Sequence, residues 1–356
     1  MTKLYTIYHD KDGKEPNEDE AGSRRAYIIG ILLSLMVLAP VVEAGCSCSA
    51  GNWDPSSFLK IEVGGETAQP VSTPNSADGN SQGSPQEPLD RSDSFPNSQI
   101  LKPMKSVSSS DVVVDVSNGN SYYTSHIKNS IHIPTREFLD ETGNLLEIES
   151  LAKIFGDAGV SREDSLVLYG TSQGSGEAEF AFLVLSYLGQ KDVKLLDGDL
   201  DDWQTAGLPV EVTENKKTVL KYTPEVKSAI LADYEYVKSG QPQIVDVRPF
   251  VDFGMGRIPG SVALDPTNLI TRDRIKDGDD LSLVFSRLTK DKPIVVYSSD
   301  YSRSSLVWYA LQLMGYEASI YAWEDWKMHE TQDSQEAPAE SEESAASSRY
   351  TKLGRK

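Results

Sequence analysis

From residue 111 onward, short apolar runs alternate with stretches of helical periodicity. The run 294–297 stops abruptly at a loop of small residues, and a helical pattern over 306–314 follows. Five other runs have the length of buried strands: 112–116, 166–169, 193–196, 244–247 and 318–321. Helical patterns at 147–158 and 177–188 separate the early runs. Strands alternating with helices predict an α/β fold in which parallel sheets carry helices on both faces.

The same landmarks occur twice along the chain. Their separation shrinks slowly, as expected of a duplicated domain with shortened loops. The paired positions are Asp115 and Asp246, Ile127 and Ile258, Tyr169 and Tyr297, Gly189 and Gly315, and Trp203 and Trp326. The chain therefore contains a tandem duplication, with predicted domains at 106–213 and 219–328.

The loop after each copy of the apolar run at 166–169 and 294–297 is the candidate site. A buried strand feeding a tight loop and a helix N-terminus directs backbone N–H groups and the helix dipole toward an anion or an activated nucleophile. In the second copy the candidate anion-binding residues are Ser298, Ser299, Asp300, Tyr301, Ser302, Arg303 and Ser304.

The N-terminal 45 residues predict an export signal or a membrane anchor. An apolar run over 26–42 follows Ser23-Arg24-Arg25, which resembles the twin-arginine motif. Ala44-Gly45-Cys46 resembles a lipoprotein signal with lipidation of Cys46, although Glu43 departs from that pattern. The alternative is an uncleaved helix beside an ordinary Cys46. Both interpretations place the domains on the extracytoplasmic side of the cell membrane, with the membrane as a partner.

Two further segments lack the composition of a folded core. Residues 46–105 are rich in Ser, Pro, Gly and Asn and predict a disordered linker, and residues 329–356 predict a disordered tail. The formal net charge of −20 argues against nucleic acid as a partner. Only two cysteines and four scattered histidines are present, so we expect no metal site and no cofactor.

Two signatures of the second copy resemble the tandem two-domain form of the rhodanese sulfurtransferase family. Val245-Asp246-Val247-Arg248 and Gly256-Arg257-Ile258-Pro259-Gly260 match its first signature, with Arg257 where the family usually has His. Leu313-Met314-Gly315-Tyr316 and the tryptophans 323 and 326 match its second, and weaker counterparts lie in the first copy.

The resemblance implies a persulfide-forming cysteine directly after the Val-Val-Tyr strand. Ser298 stands there in the second copy and Gly170 in the first, so neither loop offers a thiol. Asp300 opposes anion binding in the second loop, and Arg303 either offsets it or pairs with it. We expect Asp246 and Arg248 to hold the loop and its strand by hydrogen bonds.

These observations favour a surface-anchored, non-catalytic tandem rhodanese-like protein that binds or scaffolds an unknown protein partner. One alternative is a thiosulfate-type sulfurtransferase that acts by a route the motif does not reveal. Another is a sensor that binds a sulfur oxyanion or another small anion in the loop beginning at Ser298.

Overall fold

The computed structural model describes residues 90–336, with side chains through residue 332. The predicted signal or anchor, Cys46 and most of the predicted linker lie outside this range, as do residues 337–356. Within 90–336, no helix has both the length and the apolar character needed to cross a membrane.

Domain 1 contains a five-stranded parallel sheet in the order β1-β6-β5-β2-β4, and a small antiparallel pair, β3 and β7. Its strands are β1 Leu101–Lys102, β2 Asp111–Asp115, β3 His126–Ile127, β4 Ile131–His132, β5 Ser165–Tyr169, β6 Asp192–Leu196 and β7 Val210–Glu211. Its helices are α1 Ser121–Thr124, α2 Ile148–Asp157, α3 Glu177–Tyr187 and α4 Leu200–Thr205.

Domain 2 repeats this arrangement with a four-stranded parallel sheet in the order β13-β12-β8-β9. Its strands are β8 Gln243–Asp246, β9 Val262–Ala263, β10 Ile270–Thr271, β11 Arg274–Ile275, β12 Ile294–Ser298 and β13 Ala318–Ala322. Its helices are α5 Tyr234–Lys238, α6 Phe250–Met255, α7 Gly278–Val284, α8 Tyr301–Leu313 and α9 Trp323–Glu336. The predicted α/β class and the parallel sheets are confirmed.

The two domains share one hydrophobic core. Helix α3 packs against α8, and their side chains interlock where Phe182 contacts Trp308 and Tyr309 at ring-centroid distances of 6.0 and 5.1 Å. Residues 178–185 of α3 are all buried, because this helix lies between its own sheet and the other domain. Buried apolar residues of both domains therefore form a single contiguous cluster.

The prediction of a disordered linker up to residue 105 differs from the structure over 91–105. Short 3-10 turns at Ser92–Ser94 and Ser98–Ile100 lead into β1, and Phe95, Leu101 and Met104 are buried. Arg91 joins the domains by donating to Asp197 and to the carbonyl of Ile275. Isolated apolar residues among polar ones gave no periodic signal, so only the tertiary contacts identify this stretch as folded.

The predicted tail also begins later than expected. Helix α9 continues through residue 336, whereas the disordered tail was predicted from residue 329. Acidic residues in its first turn interact favourably with the helix dipole and stabilise the helix, and no glycine or proline interrupts the sequence from 323 to 336.

Candidate functional site

The two candidate loops lie at the carboxyl ends of β5 and β12 and contact each other. Gly176, the last residue of the domain 1 loop, adopts a left-handed backbone with φ of 77°. A Cβ atom there would approach the carbonyl oxygen of Ser302 in the domain 2 loop to 2.4 Å. Only glycine satisfies both the conformation and this close approach.

In domain 1 the loop encloses a carboxylate supplied by the chain itself. Glu177, at the start of α3, accepts hydrogen bonds from the backbone N–H of Thr171 at 2.8 Å and of Asn118 at 3.0 Å. The hydroxyl of Ser175 donates to the same carboxylate at 3.2 Å. These donors come from the loops after β2 and β5 and from the approach to α3. The three donors converge as they would in an anion-binding site, and the group they bind is the Glu177 carboxylate of the same chain.

Gly170 allows the carboxylate to take this position. A Cβ atom at residue 170 would lie 3.0 Å from the Cβ of Glu177 and 3.1 Å from its Oε2. A larger residue would press on the Glu177 side chain, and the loop would have to shift. The nucleophile position of domain 1 is thus coupled to the group that fills its loop.

In domain 2 the loop is tied up by internal hydrogen bonds. Ser298 is buried, and its hydroxyl accepts from the N–H of Asp300 at 3.1 Å. Asp300 caps α8 by accepting from the N–H of Ser302 at 2.8 Å. The hydroxyl of Ser304 donates to the carbonyls of Asp300 and Tyr301. Ser299 and Asp300 are exposed, so a carboxylate stands at the solvent side of the loop.

The structure corrects the suggested pairing of Arg303 with Asp300. Arg303 donates from Nε to the carbonyl of Val247 at 2.8 Å, and its guanidinium lies 3.7 Å from Asp265. The side chain therefore fastens the start of α8 to the end of β8. Its position also neutralises part of its charge by an ion pair outside the loop.

Tyr301 fixes the middle of the domain 2 loop to domain 1. Its ring stacks on Phe180 at 5.3 Å with an interplanar angle of 16°, and burial raises the pKa of its hydroxyl. The residue belongs to the domain interface, which restricts movement of the loop.

Asp246 and Arg248 form a buried ion pair beneath the domain 2 loop. Arg248 donates to Asp246 from its backbone N–H and from Nε, at 2.9 and 3.0 Å, and to the carbonyl of Gly256 at 2.6 Å. Its guanidinium lies 3.7 Å from the ring centroid of Trp323. Tyr297 also donates to Asp246, and burial together with this carboxylate raises the pKa of Tyr297 to about 12.

Domain 1 has the same support beneath its loop, an aspartate beside a tyrosine, but it lacks the arginine. Asp115 accepts from the N–H and hydroxyl of Ser117 at 2.9 and 2.6 Å, and Tyr169 stands where Tyr297 stands in domain 2. Tyr169 accepts from the N–H of Ile127 at 3.1 Å, just as Tyr297 accepts from Ile258 at 3.2 Å. The duplication thus extends to this hydrogen-bond network.

Sequence reasoning did not identify Glu177 as the group whose side chain fills the domain 1 loop. It also missed Asp197, which is buried and accepts from Arg91 and, at 2.9 Å, from Arg274 of domain 2. The pairing of a glycine at the nucleophile position with a glutamate at the helix start was the available signal for Glu177. Within residues 90–336, no cluster of three or more His, Cys, Asp or Glu residues could hold a metal ion.

Comparison with known proteins adds a consistent family assignment. The model of the rhodanese-like domain matches the chain twice, over residues 98–206 and 233–329. The sulfur carrier protein TtuD of Thermus thermophilus is 28% identical over 242 residues, covering 58% of this chain and 83% of that protein. The thiosulfate sulfurtransferase of Corynebacterium glutamicum is 25% identical over 222 residues, covering 55% and 73%.

Two solved structures share the fold. SseA from Escherichia coli, described as a 3-mercaptopyruvate sulfotransferase, superposes with a TM-score of 0.58 at 20% identity, covering 63% of this chain and 98% of that one. The anaerobic ergothioneine biosynthesis enzyme from Chlorobium limicola gives a TM-score of 0.59 at 20% identity, covering 67% and 70%.

Proposed function

The chain belongs to the rhodanese-like domain family, and on that premise we propose that it is a non-catalytic tandem member that serves as a binding or scaffold module. The observation that carries this proposal is the state of the two loops. One encloses the Glu177 carboxylate, and the other is headed by Ser298, whose hydroxyl accepts from its own loop.

Sulfur transfer by this fold requires a nucleophile whose negative charge is stabilised by the loop N–H groups. Glycine at 170 has no side chain to offer. The hydroxyl of Ser298 would need a general base, and the exposed neighbour Asp300 is engaged in capping α8. The names of the relatives make sulfur transfer the competing hypothesis, but the loop chemistry of this chain supports it poorly.

A small-anion sensor is supported less than a binding module. In domain 1 the internal carboxylate competes for the donors that an anion would need. In domain 2 the cation that would attract an anion, Arg303, is bonded to Val247 and lies near Asp265. The internal carboxylate in domain 1 and the contacts of Arg303 in domain 2 each reduce the positive potential inside their loop.

We further propose that the module is held at the extracytoplasmic face of the cell membrane. The support is the order of Arg24-Arg25, the apolar run 26–42 and Cys46 in the sequence. The mass of the membrane-extracted N-terminal peptide tests this. A lipidated peptide beginning at Cys46, or an intact apolar segment, fits anchoring, whereas an unmodified chain released into the medium contradicts it.

The non-catalytic proposal is tested by assaying the full chain for thiocyanate formation from thiosulfate and cyanide. We expect a rate equal to that of a matched sample in which Ser298 is replaced by Ala. Turnover above this background that disappears in Ser298→Ala would overturn the proposal and favour the unrecognised sulfurtransferase route.

A further inference from the structure

His126 of domain 1 is completely buried, and both of its ring nitrogens face carbonyl oxygens. Nδ1 lies 2.6 Å from the carbonyl oxygen of Tyr122, and Nε2 lies 3.1 Å from that of Thr213. A carbonyl oxygen only accepts hydrogen bonds, and a neutral imidazole has a single N–H donor. Both contacts are therefore hydrogen bonds only when the ring carries two protons and a positive charge.

Glu211 of β7 compensates this buried charge. Its Oε1 lies 3.9 Å from Nε2 of His126 and accepts hydrogen bonds from the side-chain amide of Asn215 at 2.8 Å and the N–H of Asn129 at 2.5 Å. These hydrogen bonds, and to a smaller extent the charge of His126, hold the pKa of Glu211 below its usual range. A carboxylate thus stays ionised beside the ring, as a buried cation requires.

The other ionisable groups around the ring do not take its proton. Tyr122 stacks on His126 at a ring-centroid distance of 3.8 Å, and burial, helped by nearby carboxylates, raises the pKa of its phenol. Nε2 of His132 faces one carbonyl oxygen, that of Ser117 at 2.9 Å, so a neutral ring satisfies this contact. The complete set around His126, besides Glu211, is Tyr122, His132, Asp115, Tyr169, Lys128 and Glu214.

His126 helps to hold the connecting segment, residues 211–217, which leads from β7 toward domain 2. Besides the bond from His126 to Thr213, the N–H of Asn215 donates to the Tyr122 hydroxyl at 3.1 Å. The side-chain amide of Asn215 donates to the carbonyl of Ser130 at 3.0 Å. The segment is thus attached to domain 1 by a small number of polar contacts, and one of them depends on a proton.

We propose that His126 is a pH-sensitive latch that holds the connecting segment against domain 1 while its ring carries both protons. When the ring loses one proton, the remaining N–H stays with Tyr122, because that contact is the shorter one and lies within four residues of the chain. The lone pair of Nε2 then faces the Thr213 carbonyl oxygen and the Glu211 carboxylate, which repel it. Residues 214–217 also line a groove beside His132, so release of the segment changes that groove.

The direction of the pH dependence follows from proton counting. The latched form binds one proton more than the released form, so the latch is complete at low pH and weakens as the pH rises. A histidine side chain changes its charge between about pH 5 and pH 8, which places the release in this range.

Domain 2 has no equivalent latch at the matching position. The counterpart of His126 is Arg257, at the spacing that relates Ile127 to Ile258. Arg257 is exposed, and its guanidinium lies 4.7 Å from the ring centroid of Phe253. A guanidinium keeps its charge throughout this pH range, so the pH response is confined to domain 1.

Hydrogen exchange of the full chain at pH 5.5 and pH 8.0, corrected for the intrinsic pH dependence of exchange, tests the proposal. We expect residues 210–216 to open at least about tenfold more often at pH 8.0, relative to residues 166–169 of β5, which report opening of the whole domain. His126→Gln should show the weaker protection at both pH values. The matched control His132→Gln should keep the parental pH dependence.

The ¹⁵N resonances of the His126 ring provide a readout that needs no variant. We expect protons on both ring nitrogens at pH 5.5 and on Nδ1 alone at pH 8.0. A singly protonated ring at pH 5.5 with a protected segment overturns the proposal, as does equal protection of residues 210–216 at both pH values. Loss of the pH dependence in His132→Gln to the same degree as in His126→Gln also overturns it, because the response would then not belong to His126.

Discussion

The two domains keep the same support beneath loops that have diverged in opposite ways. In each, an aspartate at the end of one strand lies beside a tyrosine at the end of the neighbouring parallel strand, Asp115 beside Tyr169 and Asp246 beside Tyr297. Above this support, domain 1 fills its loop with Glu177, and domain 2 closes its loop with Ser298 and Asp300. The shared part therefore serves folding, because it persists where the loop chemistry differs.

The supports themselves differ in how the aspartate is satisfied. Asp246 faces a guanidinium that is almost fully buried, whereas Asp115 faces the hydroxyl of Ser117. Replacing Arg248 by Ala leaves an unpaired carboxylate in the core, and we expect a loss of about 3–5 kcal/mol in unfolding free energy. Ser117→Ala should cost about 1 kcal/mol. Denaturant unfolding of both variants measures the difference.

Arg257→Ala is the matched control for removal of an arginine from domain 2, since Arg257 is exposed beside Phe253. Its expected cost is below about 1 kcal/mol. A similar cost for Arg248→Ala and Arg257→Ala would show that the buried pair does not stabilise domain 2.

The domain interface contains a second pair of equivalent positions at which the two domains carry different residues. Glu179 of α3 and Ser305 of α8 occupy equivalent positions, and both are fully buried with side-chain oxygens that lack partners within residues 90–332. Burial, reinforced by the nearby Glu177 carboxylate, raises the pKa of Glu179 to about 8. The folded protein therefore keeps this proton at pH values where the unfolded chain has lost it.

This shift makes stability fall as the pH rises from about 4.5 to about 8, because deprotonation then favours only the unfolded chain. Glu179→Gln removes this slope, and we expect it to be about 4 kcal/mol more stable than the parent at pH 8, relative to their difference at pH 4.5. Unfolding curves across this pH range test the expectation. Exposed Glu149→Gln should retain the parental slope, and a slope that survives in Glu179→Gln would refute the assignment.

Glu177→Ala tests whether the domain 1 loop is an anion site with an internal occupant. The variant leaves the N–H groups of Thr171 and Asn118 without their acceptor, and we expect a loss of about 1–3 kcal/mol. Sulfate should restore part of this stability by binding in the loop, with little effect on the parent. Thermal unfolding with and without sulfate at constant ionic strength measures both.

The control for this variant is Glu137→Ala, which removes an exposed carboxylate from domain 1. A sulfate response of equal size in both variants would reflect general salt stabilisation. In that case the loop would not be an anion site.

The smallest expected effect concerns the nucleophile position of domain 2. Ser298→Cys restores the residue that the family resemblance calls for, yet we expect no thiosulfate-to-cyanide sulfur transfer, because Asp300 and the Tyr301–Phe180 contact remain. Stability should change by less than about 1 kcal/mol. Turnover in Ser298→Cys that Ser299→Cys lacks would show that only the nucleophile had been lost.

Much of the fold was predictable because burial imposes a pattern on each strand. The run 294–297 is fully buried as the central part of β12, and its counterpart 166–169 lies in β5. The loops at Gly170 and Ser298 follow directly from these strands. By contrast, sequence proximity suggested that Arg303 either offsets Asp300 or pairs with it, and the fold brings Arg303 to Val247 and Asp265 instead.

The sequence by itself determined the strand–helix order, the duplication and the residues that head both loops, because these depend on local apolar periodicity and on residue identity. Only the tertiary structure decided which groups meet across the chain. It placed the Glu177 carboxylate inside its loop and joined Tyr301 to Phe180. Among residues 90–336 it left the indole N–H of Trp326 without a hydrogen-bond partner, whereas that of Trp203 donates to Pro209. Those contacts depend on how distant elements pack, and a one-dimensional pattern does not record that geometry.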